Sequence, residues 1–187
     1  MTRRFVPMFI SIAQGQRRRD DGLNIEGLKR YLLITHGYRL DAAPQINRSG
    51  KPRYFGAAYE EVKQAIGEEI YFSVTHTGSI TLTGYSCREI GMDAEYYRKL
   101  DYKPLLERYF RPEEADGIND AAAFLDLYTR KEAALKLSGR GIESLRGCSV
   151  KEPDVYFLKL DFLKNYFVTI AAGEPITNEE VVICSLH

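Results

Sequence analysis

Apolar residues along the chain fall into short alternating runs and a few helical arcs. Phe5 to Ala13 reads as a strand with Phe9 and Ile12 available for a core. Leu23 to Ile34 carries Ile25, Leu28, Tyr31 and Leu32 at helical spacing, and Gly37 follows as a stop. Tyr38 to Gly56 is rich in turn formers, and Tyr59 to Ile66 gives one or two helical turns. Ile70, Phe72 and Val74 alternate within a strand over Glu69 to Thr75, and Ile80 to Tyr85 and Ile90 to Glu95 read as strands too. Asp101 to Phe110 is helical, with Leu105, Leu106 and Tyr109 on its apolar side. Pro112 opens a further helix with Glu113 and Glu114 in its first turn, and Asn119 or Asp120 caps the longest one, which Gly139 ends. Val155 to Leu160, Phe167 to Ala171 and Val181 to Leu186 read as strands of a terminal meander. A helix followed by strands occurs in both halves without a visible internal repeat.

Composition narrows the class. At 187 residues the chain can build one sizeable core or two small joined halves, and 44% hydrophobic with 28% charged residues is ordinary for a folded protein. No window approaches the roughly 20 apolar residues of a membrane span, and the first residues lack a signal-peptide pattern, so a cytoplasmic protein is expected. Cys87, Cys148 and Cys184 are widely spaced, odd in number and without metal-ligand clustering, which predicts buried thiols in a reducing compartment. Residues 1–60 hold 11 Lys or Arg against 5 Asp or Glu, and the remainder holds 15 against 21. A basic front half suggests a polyanionic ligand or an acidic partner, and an acidic back half can hold a divalent cation between the two, although uneven solvated charge accounts for the division as well.

Several short motifs carry candidate chemistry. Arg17 to Arg19 form a basic run. In Gly50-Lys51-Pro52 the glycine lets the backbone approach a ligand, the lysine supplies a compact charge and the proline stiffens the loop. His76, between Thr75 and Thr77 at a strand end, can donate to a phosphate or simply sit in a capped turn. Strand alternation places Gly91, Asp93 and Glu95 on one face, so two carboxylates lie side by side, as in a hard-metal half-site. In the longest helix, Ala121, Phe124, Leu125, Tyr128 and Leu135 share an arc, and Glu132 and Lys136 fall within or beside it. Charges facing protein need a fixed partner, which for these two is a metal, a phosphate or each other.

In order and spacing, Gly50-Lys51-Pro52, Phe72 to Gly78, Ile90 to Glu95, Tyr109 to Glu114, Tyr128 to Lys136 and Gly139 to Ile142 resemble the 4′-phosphopantetheinyl transferases of the Sfp-like group. The resemblance spans roughly residues 50 to 142, and its most specific part is Asp93-x-Glu95 with Lys131-Glu132-x-x-x-Lys136. It implies an α+β pseudo-dimer of two similar halves, residues 1–96 and 97–187, each a small, mostly antiparallel sheet packed with helices, with the active site between them. The implied activity is of the holo-[acyl-carrier-protein] synthase type: transfer of 4′-phosphopantetheine from coenzyme A to a serine of an apo acyl or peptidyl carrier protein, releasing adenosine 3′,5′-bisphosphate. By the same resemblance Asp93, Glu95 and Glu132 ligate Mg²⁺, with Mn²⁺ as a substitute, and Lys136 meets the pyrophosphate. Glu114 matches the position of the base; Lys51, Pro52, Thr75, His76 and Lys131 hold the nucleotide end, with His76 on the 3′-phosphate. The implied partners are coenzyme A and the carrier, with neither nucleic acid nor membrane, and the implied state is a monomer.

Tyr128 stands where the family usually has Trp, Thr75-His76-Thr77 replaces the commoner Ser-His-Ser, and the segment before Gly50 is short. Two other classes fit parts of the pattern. A metal-dependent nuclease also uses paired acids with a downstream Glu and Lys, but the dense basic and aromatic interleaving of a nucleic-acid groove is missing. A non-catalytic carrier-binding module would have no need of an intact Asp93, Glu95, Glu132 and Lys136.

Overall fold

The computed structural model of the chain describes residues 7–14, 21–49 and 51–186. Arg17 to Arg19 and Gly50, singled out above, lie outside the described residues. Packing divides the chain into two units, Met1–Ile90 with Thr177–His187, and Gly91–Ile176.

The first unit is built on β1 (Met8–Gln14), whose residues Met8 to Ser11 are all buried. Strand β1 pairs antiparallel with β5 (Ile80–Ser86), which pairs antiparallel with β4 (Tyr71–Thr77). Helix α1 (Asp21–Tyr31) lies against β1 and β5, burying Leu28 and Tyr31 with Phe9 and Tyr85. Gly27 permits that approach, because a Cβ there would overlap the hydroxyl of Tyr85, which donates to the Asn24 carbonyl at 2.8 Å. The helix continues as a π turn, Leu32–His36, and Gly37 stops it in the left-handed region, φ 65°. Helix α2 (Ala57–Ile66) buries Tyr59 and Val62 in the same core.

Two features of this unit differ from expectation. The turn-rich segment contains an antiparallel pair, β2 (Gln45–Asn47) and β3 (Arg53–Phe55), whose three-residue strands are too short to show a period. The last strand, β9 (Val181–Leu186), does not join a terminal meander; it pairs parallel with β1, Phe9 opposite Val182, giving the order β4-β5-β1-β9. Local alternation carries no information about so distant a partner. Packing consequently divides the chain at Ile90/Gly91, with its last residues returning to the first unit, where the sequence suggested 96/97.

The second unit holds a three-stranded sheet, β6 (Ile90–Tyr96), β8 (Tyr166–Ala172) and β7 (Tyr156–Leu160), in the order β6-β8-β7, with β7 antiparallel to β8. Helix α5 (Ala121–Ser138) packs on β8, and a hydroxyl contact of 3.2 Å joins Thr129 to Thr169 between them. Asp120 caps α5 by accepting from the Ala123 amide at 2.8 Å, and Gly139, φ 70°, ends it. Two shorter helices, α3 (Lys103–Tyr109) and α4 (Pro112–Ala115), precede it. Phe110, Phe124, Leu125, Leu127 and Val150 form the main core cluster here. The fold is α+β, as expected. No helix among the described residues is long and apolar enough to cross a membrane, and Cys87, Cys148 and Cys184 are all free.

Candidate functional site

In the second unit the acidic strand meets the long helix through Gly91. A Cβ at that position would overlap the carbonyl oxygen of Ala133 and the amide nitrogen of Leu137, so β6 rests directly on the backbone of α5. Two residues further along the same face, Asp93 is 6% exposed and accepts from the ammonium of Lys136 at 2.7 Å. Glu95, nearer the strand end, pairs with Arg98 at 2.5 Å. Glu132, one helical turn before Lys136, accepts from the Tyr128 hydroxyl at 3.0 Å. Burial pushes the Glu132 carboxyl above its ordinary value, and the negative charges of Asp93 and Glu95 push the same way; the Tyr128 hydrogen bond and Lys136 offset part of this. Burial likewise raises the Tyr128 phenol, with Glu132, Asp93 and Glu95 adding to the effect. The charges of Asp93 and Glu95 thus reach Glu132, although each acid has a different contact.

A hard divalent cation suits the donor types, since Mg²⁺ and Mn²⁺ favour carboxylate oxygen. As placed, no three His, Cys, Asp or Glu side chains among the described residues form a group able to hold a metal ion. Asp93 faces Lys136, Glu95 faces Arg98 and Glu132 faces Tyr128. The donor types are those of a hard-cation site, while in this arrangement Lys136 and Arg98 each hold one oxygen of the two strand acids.

Glu114 and Lys131 lie together in the same unit. Their side chains have no exposed surface and meet at 2.5 Å. The Glu114 carboxylate also accepts from the Arg111 amide at 3.0 Å and the Val150 amide at 2.9 Å, while the Lys131 ammonium sits 4.4 Å from the centre of the Phe110 ring. Burial alone would raise the Glu114 carboxyl, but these three donors outweigh it and hold the carboxyl below its ordinary value. The sequence expectation has Glu114 as the base and Lys131 on the nucleotide; in the structure each is the other's partner inside the unit. A base must reach the proton that it takes, and this carboxylate is enclosed by its own donors.

The remaining candidates belong to the first unit. Lys51 and Pro52 are half-buried ahead of β3, and Glu89 faces both Lys51, at 3.8 Å, and Arg53, at 2.9 Å. Burial lowers the Lys51 ammonium from its ordinary value. His76 is exposed, with Nδ1 held 2.8 Å from the hydroxyl of Thr81, its register partner on β5. Thr75 is buried and lies on the other face of β4, so the two side chains do not point the same way. Sequence reasoning missed Arg98, Arg53 and the Tyr128 hydroxyl. Only the last left a signal, its spacing of four residues from Glu132 on a helix.

Comparison with known proteins bears on the same residues. The profile of the 4′-phosphopantetheinyl transferase superfamily matches residues 89–184, which include the acidic strand and the long helix. A protein of Synechocystis sp. (strain ATCC 27184 / PCC 6803 / Kazusa), provisionally named a 4′-phosphopantetheinyl transferase, is 30% identical over 167 residues, covering 81% of this chain and 64% of that protein. The chain thus spans less than two thirds of that relative's length. With the superfamily profile covering half of the chain, from Glu89 through the whole of α5 to β9, the chain belongs to the 4′-phosphopantetheinyl transferase superfamily.

Proposed function

We propose that the chain transfers the 4′-phosphopantetheine arm of coenzyme A to a serine hydroxyl of an apo acyl or peptidyl carrier protein. In this reading the serine hydroxyl gives up its proton to water, its oxygen bonds to the phosphorus that carries the pantetheine, the bond from that phosphorus to the bridging oxygen breaks, and adenosine 3′,5′-bisphosphate leaves with that oxygen. The observation that carries the proposal is the close packing at Gly91, which sets Asp93 beside Lys136 and next to the helix face that bears Glu132. Three acids and a lysine with short, directed contacts match what phosphoryl transfer asks of a protein, namely positioning and charge neutralisation.

Asp93, Glu95 and Glu132 are the residues that would hold Mg²⁺ or Mn²⁺, which when bound supplies charge stabilisation to the phosphate oxygens. Lys136 then offers its ammonium to the phosphate that becomes the leaving group. Lys51 and His76 bring positive charge and a ring donor to the nucleotide end, the histidine oriented by Thr81. Glu114 and Lys131 contribute by locking α5 to the loop at Val150 and to Phe110, which fixes the helix that carries Glu132 and Lys136. Enclosed as it is, Glu114 would reach the serine proton only through other groups.

Chromatographic detection of adenosine 3′,5′-bisphosphate in equimolar amount with modified carrier tests the bond cleavage. Release of any other nucleotide would sink the proposal. Release without carrier modification would point to hydrolysis instead.

A further inference from the structure

The outer strand of the first unit's sheet has no charge of its own. Strand β9 stands at the end of the order β4-β5-β1-β9, so among the described residues no strand pairs with its far side. Its six residues, Val181-Val182-Ile183-Cys184-Ser185-Leu186, include no charged residue, no proline and no glycine. Such an edge is a template for another chain, since alternate residues turn their N–H and C=O groups outward. Ile183 adds an apolar side chain that is 41% exposed. Strand β7, which ends the order β6-β8-β7 in the second unit, differs in carrying Lys159 within its own span.

A charge reaches β9 from helix α1. Val182 and Cys184 pack against the core cluster that holds Leu28 and Tyr31 of α1, so helix and strand are neighbours on that face. Arg30 donates from Nη1 to the Ser185 carbonyl at 3.1 Å and to the sulfur of Cys184 at 3.5 Å. Glu26, one turn earlier on α1, accepts from Nε of the same guanidinium at 3.4 Å. An arginine that only decorated the helix would need no more than Glu26; this one reaches across 155 residues of sequence to a strand carbonyl. An incoming strand would have to displace the guanidinium or bury it, and a buried charge without a full set of partners is costly.

We infer that Arg30 is a guard that keeps β9 from pairing with β9 of a second copy of this chain. A second copy brings the same uncharged strand, and two such strands can run antiparallel about a twofold axis, each satisfying the outward groups of the other.

The test compares the full chain with Arg30→Ala by light scattering across a range of protein concentration, with amide hydrogen exchange of residues 181–186 read on the same samples. Wild type should remain monomeric, and Arg30→Ala should self-associate at least about tenfold more tightly, the worth of one hydrogen bond that the new strand no longer displaces. In the associated form the β9 amides should exchange more slowly than in wild type. Ile183→Lys added to Arg30→Ala should return association to the wild-type level, because it puts a charge on the strand itself. Equal association of wild type and Arg30→Ala overturns the inference, as does a wild type already paired through β9. Association that persists in the double variant also overturns it. So does faster exchange of β9 in Arg30→Ala, since association would then follow from unfolding and not from a freed edge.

Discussion

The ammonium of Lys136 lies 2.7 Å from Oδ1 of Asp93, so in the ligand-free chain the lysine engages the acid proposed to bind a cation. Lysine and metal then compete for one carboxylate. Lys136→Met should tighten Mn²⁺ binding to the free protein, because an ammonium is removed from beside Asp93, and should lower the rate of transfer by about 10²- to 10³-fold, the usual loss when a charge aimed at a transition state is deleted. Opposite movement of the two quantities is the signature. Weaker Mn²⁺ binding by the variant would contradict it.

Gly91 sets the approach of β6 to α5, and its role is steric. Gly91→Ala forces a methyl into the carbonyl of Ala133 and the amide of Leu137, so the strand has to move off the helix. Overpacking costs typically 1–3 kcal/mol. Urea unfolding should show a loss of about 2 kcal/mol or more, accompanied by a fall in Mn²⁺ affinity because Asp93 moves with the strand. A variant of wild-type stability and affinity would show that the close contact does not position the site.

The buried pair Glu114 and Lys131 predicts a pH dependence of stability. The Glu114 carboxyl is held below its ordinary value, so its contribution is fully present above the usual carboxylate range and is lost as the pH falls through its lowered folded value. Free energies of unfolding should decline below about pH 4 in the wild type, and less steeply in Glu114→Gln. Removing one partner leaves a buried charge alone, which costs roughly 3–5 kcal/mol, so Lys131→Met should be strongly destabilised and Glu114→Leu with Lys131→Met should recover much of that loss. If Glu114→Gln instead kept full stability and abolished transfer, Glu114 would be a base after all.

His76 offers a test at the nucleotide end. His76→Ala should raise KM for coenzyme A by about 10- to 100-fold, the worth of a hydrogen bond to a charged group, with kcat little changed. Dephospho-coenzyme A, which lacks the 3′-phosphate, should be used equally by both proteins. An equal KM rise with both substrates would place His76 elsewhere than on that phosphate.

What could be read in the sequence was whatever depends on one element's own period. Asp93 and Glu95 alternate on a strand, and Glu132 and Lys136 follow each other by one helical turn, so their grouping could be anticipated. Lys131 shares that helix and the same charge, yet it is fully buried, because Glu114, itself held by the Val150 amide, and Phe110 meet it from outside the helix, and the wheel contains none of the three. Pairing of β9 with β1 and the short β2–β3 ladder were hidden for related reasons, a partner some 170 residues away in one case and strands of three residues in the other. Thr75 and His76 look like a unit in sequence and are separated by the pleat of β4.

The central claim is cation-dependent phosphopantetheinyl transfer, and the intact mass of an apo carrier protein tests it most directly. With coenzyme A and Mg²⁺, the account predicts that the carrier gains one phosphopantetheine on its serine, that excess chelator abolishes the gain, and that Glu132→Gln fails to produce it while remaining folded. Absence of any mass change across acyl and peptidyl carriers with folded wild-type protein, or a gain that persists in full under chelator, would contradict the account.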